Sequence, residues 1–374
     1  MKILVFVFLI SACMVASAYG AGEIKKEFSV SEGGKLDIGL NSGGSIDVRG
    51  WDKQLVSIGV DFVHCSAEDF IFDFSADSST IKVRSDYKRH VNNSNIEVDI
   101  MVPREFNLKL KTAGGSVSVY NVNGKIEGNT AGGSLDLKNL TGHIDLVTGG
   151  GSIIVKDSKL DGEVRTGGGS VLVENVEGDF DAHSGGGNVV YKNVKTPSRV
   201  YSVEQVYIRN AGGDLNVDDA PNGADISTGG GNIHIRSAKA FVRANTGGGN
   251  ISIDSVDGSA EASTGAGEIE VTVISNSQNG KGDITLTSGT GNITLTLPRY
   301  LSMDVDVELA YTKEHENRYR IISDFNLQQE TTNDWDTSHG TPRKYIRGKT
   351  VLKDGQNKIV IRTVNGNVTL RQGK

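Results

Sequence analysis

The sequence predicts an all-β protein, a single-chain parallel β-solenoid of about 18 residues per coil, on three observations. Glycine pairs recur at a fixed interval. Apolar residues alternate as i, i+2 pairs between them. No helical periodicity follows the N-terminal apolar run.

The interval is carried by Thr112, Thr130, Thr148, Thr166 and Ser184, each 18 residues from the last and each followed within two residues by a glycine pair. After an eight-residue insertion it resumes at Asn210, Thr228, Thr246 and Thr264. A looser coil carries Ser288-Gly289-Thr290-Gly291-Asn292. With each coil numbered from its Thr, positions 6 and 8 are apolar throughout, from Val117/Val119 and Leu135/Leu137 to Ile251/Ile253 and Ile269/Val271. Positions 15 and 17 form a second pair, as in Ile144/Leu146 and Phe180/Ala182. Each coil therefore holds two short strands with one buried face. The glycine pairs are expected to supply positive φ on one side of the coil. Position 13, often glycine (Gly124, Gly142, Gly178, Gly258), marks the second bend. A lone coil buries too few side chains to offset the entropy of ordering its backbone, so coils must stack. Position 1 continues the inward parity of 15 and 17, which directs the Thr hydroxyls inward to bond along the stack.

The flanks lack the period. Residues 21–111 read as an N-terminal β cap with the first coils, 112–297 as the repeat with an insertion near 196–205, and 298–374 as a C-terminal cap. A stack needs such caps because its end coils expose pairing edges. Residues 1–20 read as a secretory signal peptide: Met1-Lys2, an apolar run from Ile3 to Val15, then Ala16-Ser17-Ala18. The alternative is a lipoprotein signal ending at Ile10-Ser11-Ala12-Cys13, with a lipid anchor on Cys13. Export to the periplasm, the outer cell envelope or the medium follows from either. No other stretch is apolar for long enough to cross a membrane as a helix. After cleavage at the secretory site, past Ala18, only Cys65 is left, which excludes an intramolecular disulfide.

Composition narrows the function. Glycine accounts for 48 of 374 residues and proline for 5, which favours ordered turns over a disordered linker. A net charge of −7 with scattered basic residues gives no footprint for nucleic acid. Aromatic residues are 6% of the chain, so no stacked carbohydrate platform is advertised.

Gly43-Gly44-Ser45-Ile46-Asp47-Val48-Arg49-Gly50-Trp51-Asp52, Ile322-Ser323-Asp324-Phe325 and Thr363-Val364-Asn365-Gly366-Asn367-Val368 resemble the bacterial putative-adhesin domain family, a domain of unknown function. The resemblance covers essentially the whole mature chain. It implies a right-handed β-helix or flattened β-roll on an exported bacterial protein, and it brings no catalytic residues with it.

Several rows invite chemistry. Position 16 is acidic at Glu127, Asp145, Glu163, Asp181, Asp225 and Glu261, interrupted by Arg243. Carboxylates stacked near ~4.8 Å repel, so the row wants neutralising neighbours such as Arg165, His183 and Arg209, or a cationic partner. The slot after the glycine pairs, where a calcium roll needs Asp, is mostly Ser or Asn (Ser134, Ser152, Asn188, Asn232, Asn250), with Asp214 and Glu268 the exceptions. The seven His lack metal spacing. No metal, cofactor or catalytic residue is assigned. At position 7, outward between two buried neighbours, Ile154, Leu172 and Val190 replace the usual polar residues. They predict an apolar stripe beside the insertion, which Tyr201 and Val203 either cover or leave open as an interaction patch. The expectation is a non-catalytic exported surface or envelope protein that presents its coils for adhesion or scaffolding to a protein or glycan ligand. The alternatives are a partner-binding envelope protein docking through the Ile154/Leu172/Val190 face and, further off, a polysaccharide-active β-helix enzyme.

Overall fold

The computed structural model describes residues 23–77, 79–89, 95–195, 206–274, 282–338 and 340–373. The expected signal peptide, Cys13, the 196–205 insertion, Tyr201 and Val203 lie outside the described residues. The protein is all-β: 30 strands and two single-turn 3₁₀ segments, with no α-helix among the described residues. No helix there is long and apolar enough to cross a membrane. The chain divides into two compact units, 1–166 and 167–374.

In the first unit, parallel pairing joins residues one period apart. Ile126 pairs with Ile144, Leu135 with Ile153 and Thr130 with Thr148. Like stacks on like, and the inward pairs are 0–1% exposed. The ladder begins earlier in the sequence than the period does. Lys35–Leu40 pairs with Asn107–Thr112, and Ser45–Trp51 pairs with Val117–Tyr120, so Leu36 meets Leu108 and Ile46 meets Val117. Residues 52–106 are an excursion from this coil. Their strands Thr80–Tyr87 and Asn95–Pro103 return to pair in parallel on its other side. Antiparallel strands follow: Phe70–Ala76 on Thr80–Tyr87, and Leu55–Val63 on Asn95–Pro103 with Glu23–Ser29 beyond it.

The second unit repeats this plan. Val189 pairs with Leu215, which lies one coil plus the eight-residue insertion further on. Leu215–Ile233 and Ile233–Ile251 restore the period. Ile153–Thr166, Ile233–Thr246 and Ile251–Thr264 each run as one 14-residue strand rather than the two expected, although each contains a positive-φ residue: Asp157, Ala240 and Gly258. The chain leaves the ladder after Leu297 and rejoins it far along the sequence: Ile284 pairs with Ile359 and Ile293 with Val368. Met303–Thr312 lies parallel to Asn357–Val364 and antiparallel to Arg343–Leu352, whose far side takes Gln328–Thr331.

The turns correct one expectation. The glycine pairs after each Thr, such as Gly132-Gly133, do not have positive φ. What position 4 requires is space: a Cβ on Gly133 would lie 2.1 Å from the Gly115 carbonyl oxygen of the preceding coil. Successive turns pass backbone against backbone, and only a hydrogen fits between them. Positive φ occurs instead at the second bend, at Gly124, Gly142, Gly178 and Gly258. It also occurs at position 10, where Asn121, Asn139, Asp157, Asn175 and Asn193 all lie near +50 to +60°. Asn and Asp tolerate this region better than other side chains. Asn139 also donates to Asn121 Oδ1 at 3.1 Å, and Asn193 to Asn175 Oδ1 at 2.8 Å.

The contrast between adjacent glycines is testable. A Cβ at Gly132 meets nothing within 4 Å, so Gly132→Ala is expected to stay within about 0.5 kcal/mol of the parent. Gly133→Ala must push two backbones apart and is expected to cost about 2–3 kcal/mol or more. Urea midpoints of the two variants check this, and equal midpoints would refute the close-approach account.

Candidate functional site

The inward hydroxyls are fully used. In the first unit Thr130 Oγ1 donates to Gly115 O at 2.8 Å, and Thr148 Oγ1 to Gly133 O at 2.7 Å. Each hydroxyl also accepts from the glycine N–H three residues on, Gly133 and Gly151 respectively, at 3.2 Å. In the second unit Thr228, Thr246 and Thr264 make the same bonds to Gly213, Gly231 and Gly249 at 2.8–2.9 Å. Ser184 and Ser288 substitute in the same way. Asn210 does so through its amide nitrogen, 2.8 Å from Gly187 O. These side chains are structural, and at 1–6% exposure the Thr row offers nothing to solvent.

The slot after the glycines is a second ladder. Asn188 Oδ1 accepts from Asp214 N at 2.9 Å, Asp214 Oδ1 from Asn232 N at 2.7 Å, and Asn232 Oδ1 from Asn250 N at 2.9 Å. Asn250 Oδ1 takes Glu268 N at 2.8 Å, and Asn292 Oδ1 takes Asn367 N at 2.9 Å. An acceptor oxygen is what the position needs, which is why Asp214 can stand among Asn188, Asn232 and Asn250. Among the described residues no three His, Cys, Asp or Glu side chains gather to hold a metal ion.

The acidic row divides between the units. In the first, Glu127 pairs with Asp145 and Asp145 with Glu163, with Lys109 next to Glu127 on the other side. Lys125 bonds Glu127 and holds its carboxyl below the usual glutamate range. Arg165 lies 2.5 Å from Glu163. In the second, Arg243 stands between Asp225 and Glu261, 3.2 Å from each. Arg209 stacks on Tyr207 and donates to Ser227 Oγ at 3.2 Å rather than to a carboxylate. Asp181 is half-buried between Phe180 and Ala182, and His183 Nδ1 lies 3.4 Å from Arg209 O. The row is thus a ladder of mixed sign.

Of the apolar patch residues, Ile154 belongs to the first unit, follows Asp136 in register and is 36% exposed. Leu172 and Val190 belong to the second, pair directly and are half-buried. Val190 borders a shallow recess of about 190 Å³ with Asp218, His234 and Arg236. The Arg236 guanidinium bonds Asp218 and lowers its carboxyl pKa, and His234 Nε2 lies 2.9 Å from Asp254.

Sequence reasoning missed one gathering. Trp335, Tyr345, Arg343, Arg347 and Arg362 line two hollows in the C-terminal segment, and Tyr311 meets the Trp335 ring edge-on. The low overall aromatic content gave no hint of it. The usable signal was the local run Trp335-Asp336 followed by Arg343-Lys344-Tyr345-Ile346-Arg347, whose alternation places Arg343, Tyr345 and Arg347 on one face.

No family profile and no curated protein matches the chain. Among solved structures it is similar to a putative cell adhesion protein from Clostridium sporogenes at 11% identity and a TM-score of 0.18, over 95% of this chain and 100% of that one. A putative adhesin from Bacteroides fragilis matches at 11% identity and a TM-score of 0.27, over 93% of this chain and 96% of that one. A putative lipid binding protein from Parabacteroides distasonis matches at 10% identity and 0.24, over 94% and 97%. The first two bear the same kind of name as the family that the sequence motifs resemble.

Two substitutions probe the ladders. Thr148→Val strands the buried Gly151 N–H and Gly133 carbonyl and is expected to cost about 1–3 kcal/mol, with Thr148→Ser recovering most of it; urea midpoints decide. Arg243→Glu puts three carboxylates in one row. It is expected to lower the melting temperature slightly, by an amount that shrinks as sodium chloride is added. A salt-independent change would show that the row is not electrostatically coupled.

Proposed function

We propose that this chain is an exported, non-catalytic protein whose ladder winds as a β-solenoid, closed at its ends by antiparallel segments, and that it presents its outward rows for adhesion or scaffolding. The observation that carries the reading is the constant register. Each outward position recurs at the next strand, as in Glu127-Asp145-Glu163 and Asp225-Arg243-Glu261. A surface repeated at strand spacing suits a repetitive ligand, because many weak contacts add as avidity without any single deep site. Inward groups and turn groups serve the fold, which leaves the outward rows for partners.

The test is retention of the mature chain on immobilised glycans, matrix proteins and abiotic surfaces, with polysaccharide breakdown assayed in parallel. Multivalent retention that weakens when the ladder is shortened by whole coils supports the reading. Release of reducing ends from a polysaccharide would replace it with an enzyme.

A second reading has its own observation, the direct pairing of half-buried Leu172 and Val190 beside a polar recess. Apolar surface rimmed by polar groups fits a docking face for a protein partner. Leu172→Asp is expected to abolish such binding while changing stability by less than about 1 kcal/mol. A larger loss of stability would mean that the face is covered within the chain, and the docking reading would fall.

A further inference from the structure

The excursion of residues 52–106 contains a strand with one side open. Phe70–Ala76 pairs with Thr80–Tyr87 and, among the described residues, with no other strand. Such an edge templates pairing with another chain unless it is blunted. Other one-sided strands are blunted. Glu23–Ser29 carries Glu23, Lys25, Lys26 and Glu27, Gln328–Thr331 is a short polar run, and Ile321–Ser323 is only 3 residues long. Phe70–Ala76 has three Phe, one Ile and, as its sole charge, Asp73.

The open side is regular. Asp77 N donates to Thr80 O at 3.0 Å, and hydrogen-bonded pairs alternate along an antiparallel ladder. Ser75, Asp73 and Ile71 therefore bond to Thr80–Tyr87, while Phe72 and Phe74 turn their N–H and C=O groups to the open side. The Phe70 carbonyl points the same way, and the Phe70 N–H is taken by Ala67 O. Phe70, Phe72 and Phe74 border a hollow of about 400 Å³, which Ile24, Lys26, Phe28 and Asp73 also line. Phe72 lies edge-on to Phe62 at 5.8 Å and stacks with Phe74 at 6.0 Å. Between the aromatic positions Ile71 is 53% exposed, and Asp73 lies opposite Arg84.

We infer that this edge seats a second copy of the chain, the two Phe70–Ala76 strands pairing antiparallel about a two-fold axis at Phe72. In that register each Phe72 N–H donates to the partner's Phe72 carbonyl, and each Phe74 N–H to the partner's Phe70 carbonyl. Phe70 faces the partner's Phe74, so aromatic side chains meet aromatic side chains. Asp73 faces the partner's Ile71, so the strand's one charge meets no like charge. Other axes fit worse. An axis at Asp73 opposes two carboxylates and calls on groups already bonded to Thr80–Tyr87, and an axis at Phe74 sets Phe72 against the partner's Ala76. This match of the strand to itself, in backbone groups, rings and charge, selects a second copy over an unrelated strand. A dimer doubles the outward rows available for avidity, but the inference does not rest on the adhesion reading.

The experiment is sedimentation velocity on the full mature chain from low to high micromolar concentration, with no ligand present. The expected result is a monomer–dimer equilibrium. Two variants at the exposed Ile71 then test the register. Ile71→Lys is expected to tighten the dimer about tenfold, because two Lys–Asp73 pairs form across the axis, and Ile71→Asp to weaken it by about as much. Melting temperatures of both variants report whether the monomer fold is kept, and the parent chain alone keeps the inference falsifiable if either fails to fold. A monomer at every concentration overturns the inference, even if the strand captures an unrelated extended peptide. Weakening by both variants would reveal a greasy contact without this register, and indifference to both would place the dimer elsewhere; each result overturns the pairing. A strictly monomeric chain that is still retained on surfaces would lose this inference and leave the adhesion reading standing.

Discussion

The structure depends on the contact between successive turns. At position 4 of each coil a glycine passes directly over the carbonyl of the preceding turn, and a Cβ there would overlap it at about 2 Å. The Thr hydroxyl locks the same contact by donating to that glycine carbonyl and accepting from the next glycine N–H. A coil that obeys this geometry can stack only in register, because any other register removes the glycine from the carbonyl or the hydroxyl from its acceptor. The apolar pairs then stack like on like, which makes burial near complete with β-branched residues and few aromatics.

Regular stacking raises the problem of where it stops. Parallel strands leave unpaired edges that would template further pairing. In both units an excursion leaves the ladder and comes back to it. Residues 52–106 return as strands beside the first coil, and residues 298–356 return before the last. In each excursion strand direction reverses and antiparallel pairs form. The C-terminal excursion also gathers side chains that no regular coil could bring together. Its strands carry Arg347, Glu308 and Arg362 in one cross-strand row and leave a hollow over Ala310.

Polar groups therefore play two roles that composition cannot separate. Within the coils, Thr, Asn and Asp repeat because each satisfies the backbone of its neighbour, as Asp214 does for Asn232. In the excursions, charged and aromatic groups meet without that obligation, and Arg343 is left with an unanswered donor. The outward acidic row falls between the two. It repeats with the coil, yet its neighbours Lys125, Arg165 and Arg243 pair its charges locally.

What the sequence determined by itself was the period, the inward pairs and the inward hydroxyls. These are set by residues whose spacing equals one step of parallel pairing, so a one-dimensional repeat contains them. It also marked the second bend, where Gly142 needs positive φ. The Asn row at position 10 was equally legible as a repeat, and it went unread because its use is conformational rather than hydrophobic. Tertiary structure alone decided why Gly133 must be glycine, since the obstacle is a carbonyl 18 residues away and not its own φ. It alone decided that Ile284 meets Ile359 and Leu36 meets Leu108, because the intervening excursions carry no period from which their length could be read. The hollow around Arg343 belongs to the same class: its walls come from strands paired across tens of residues, and only folding sets Glu308, Arg343 and Arg362 around one space.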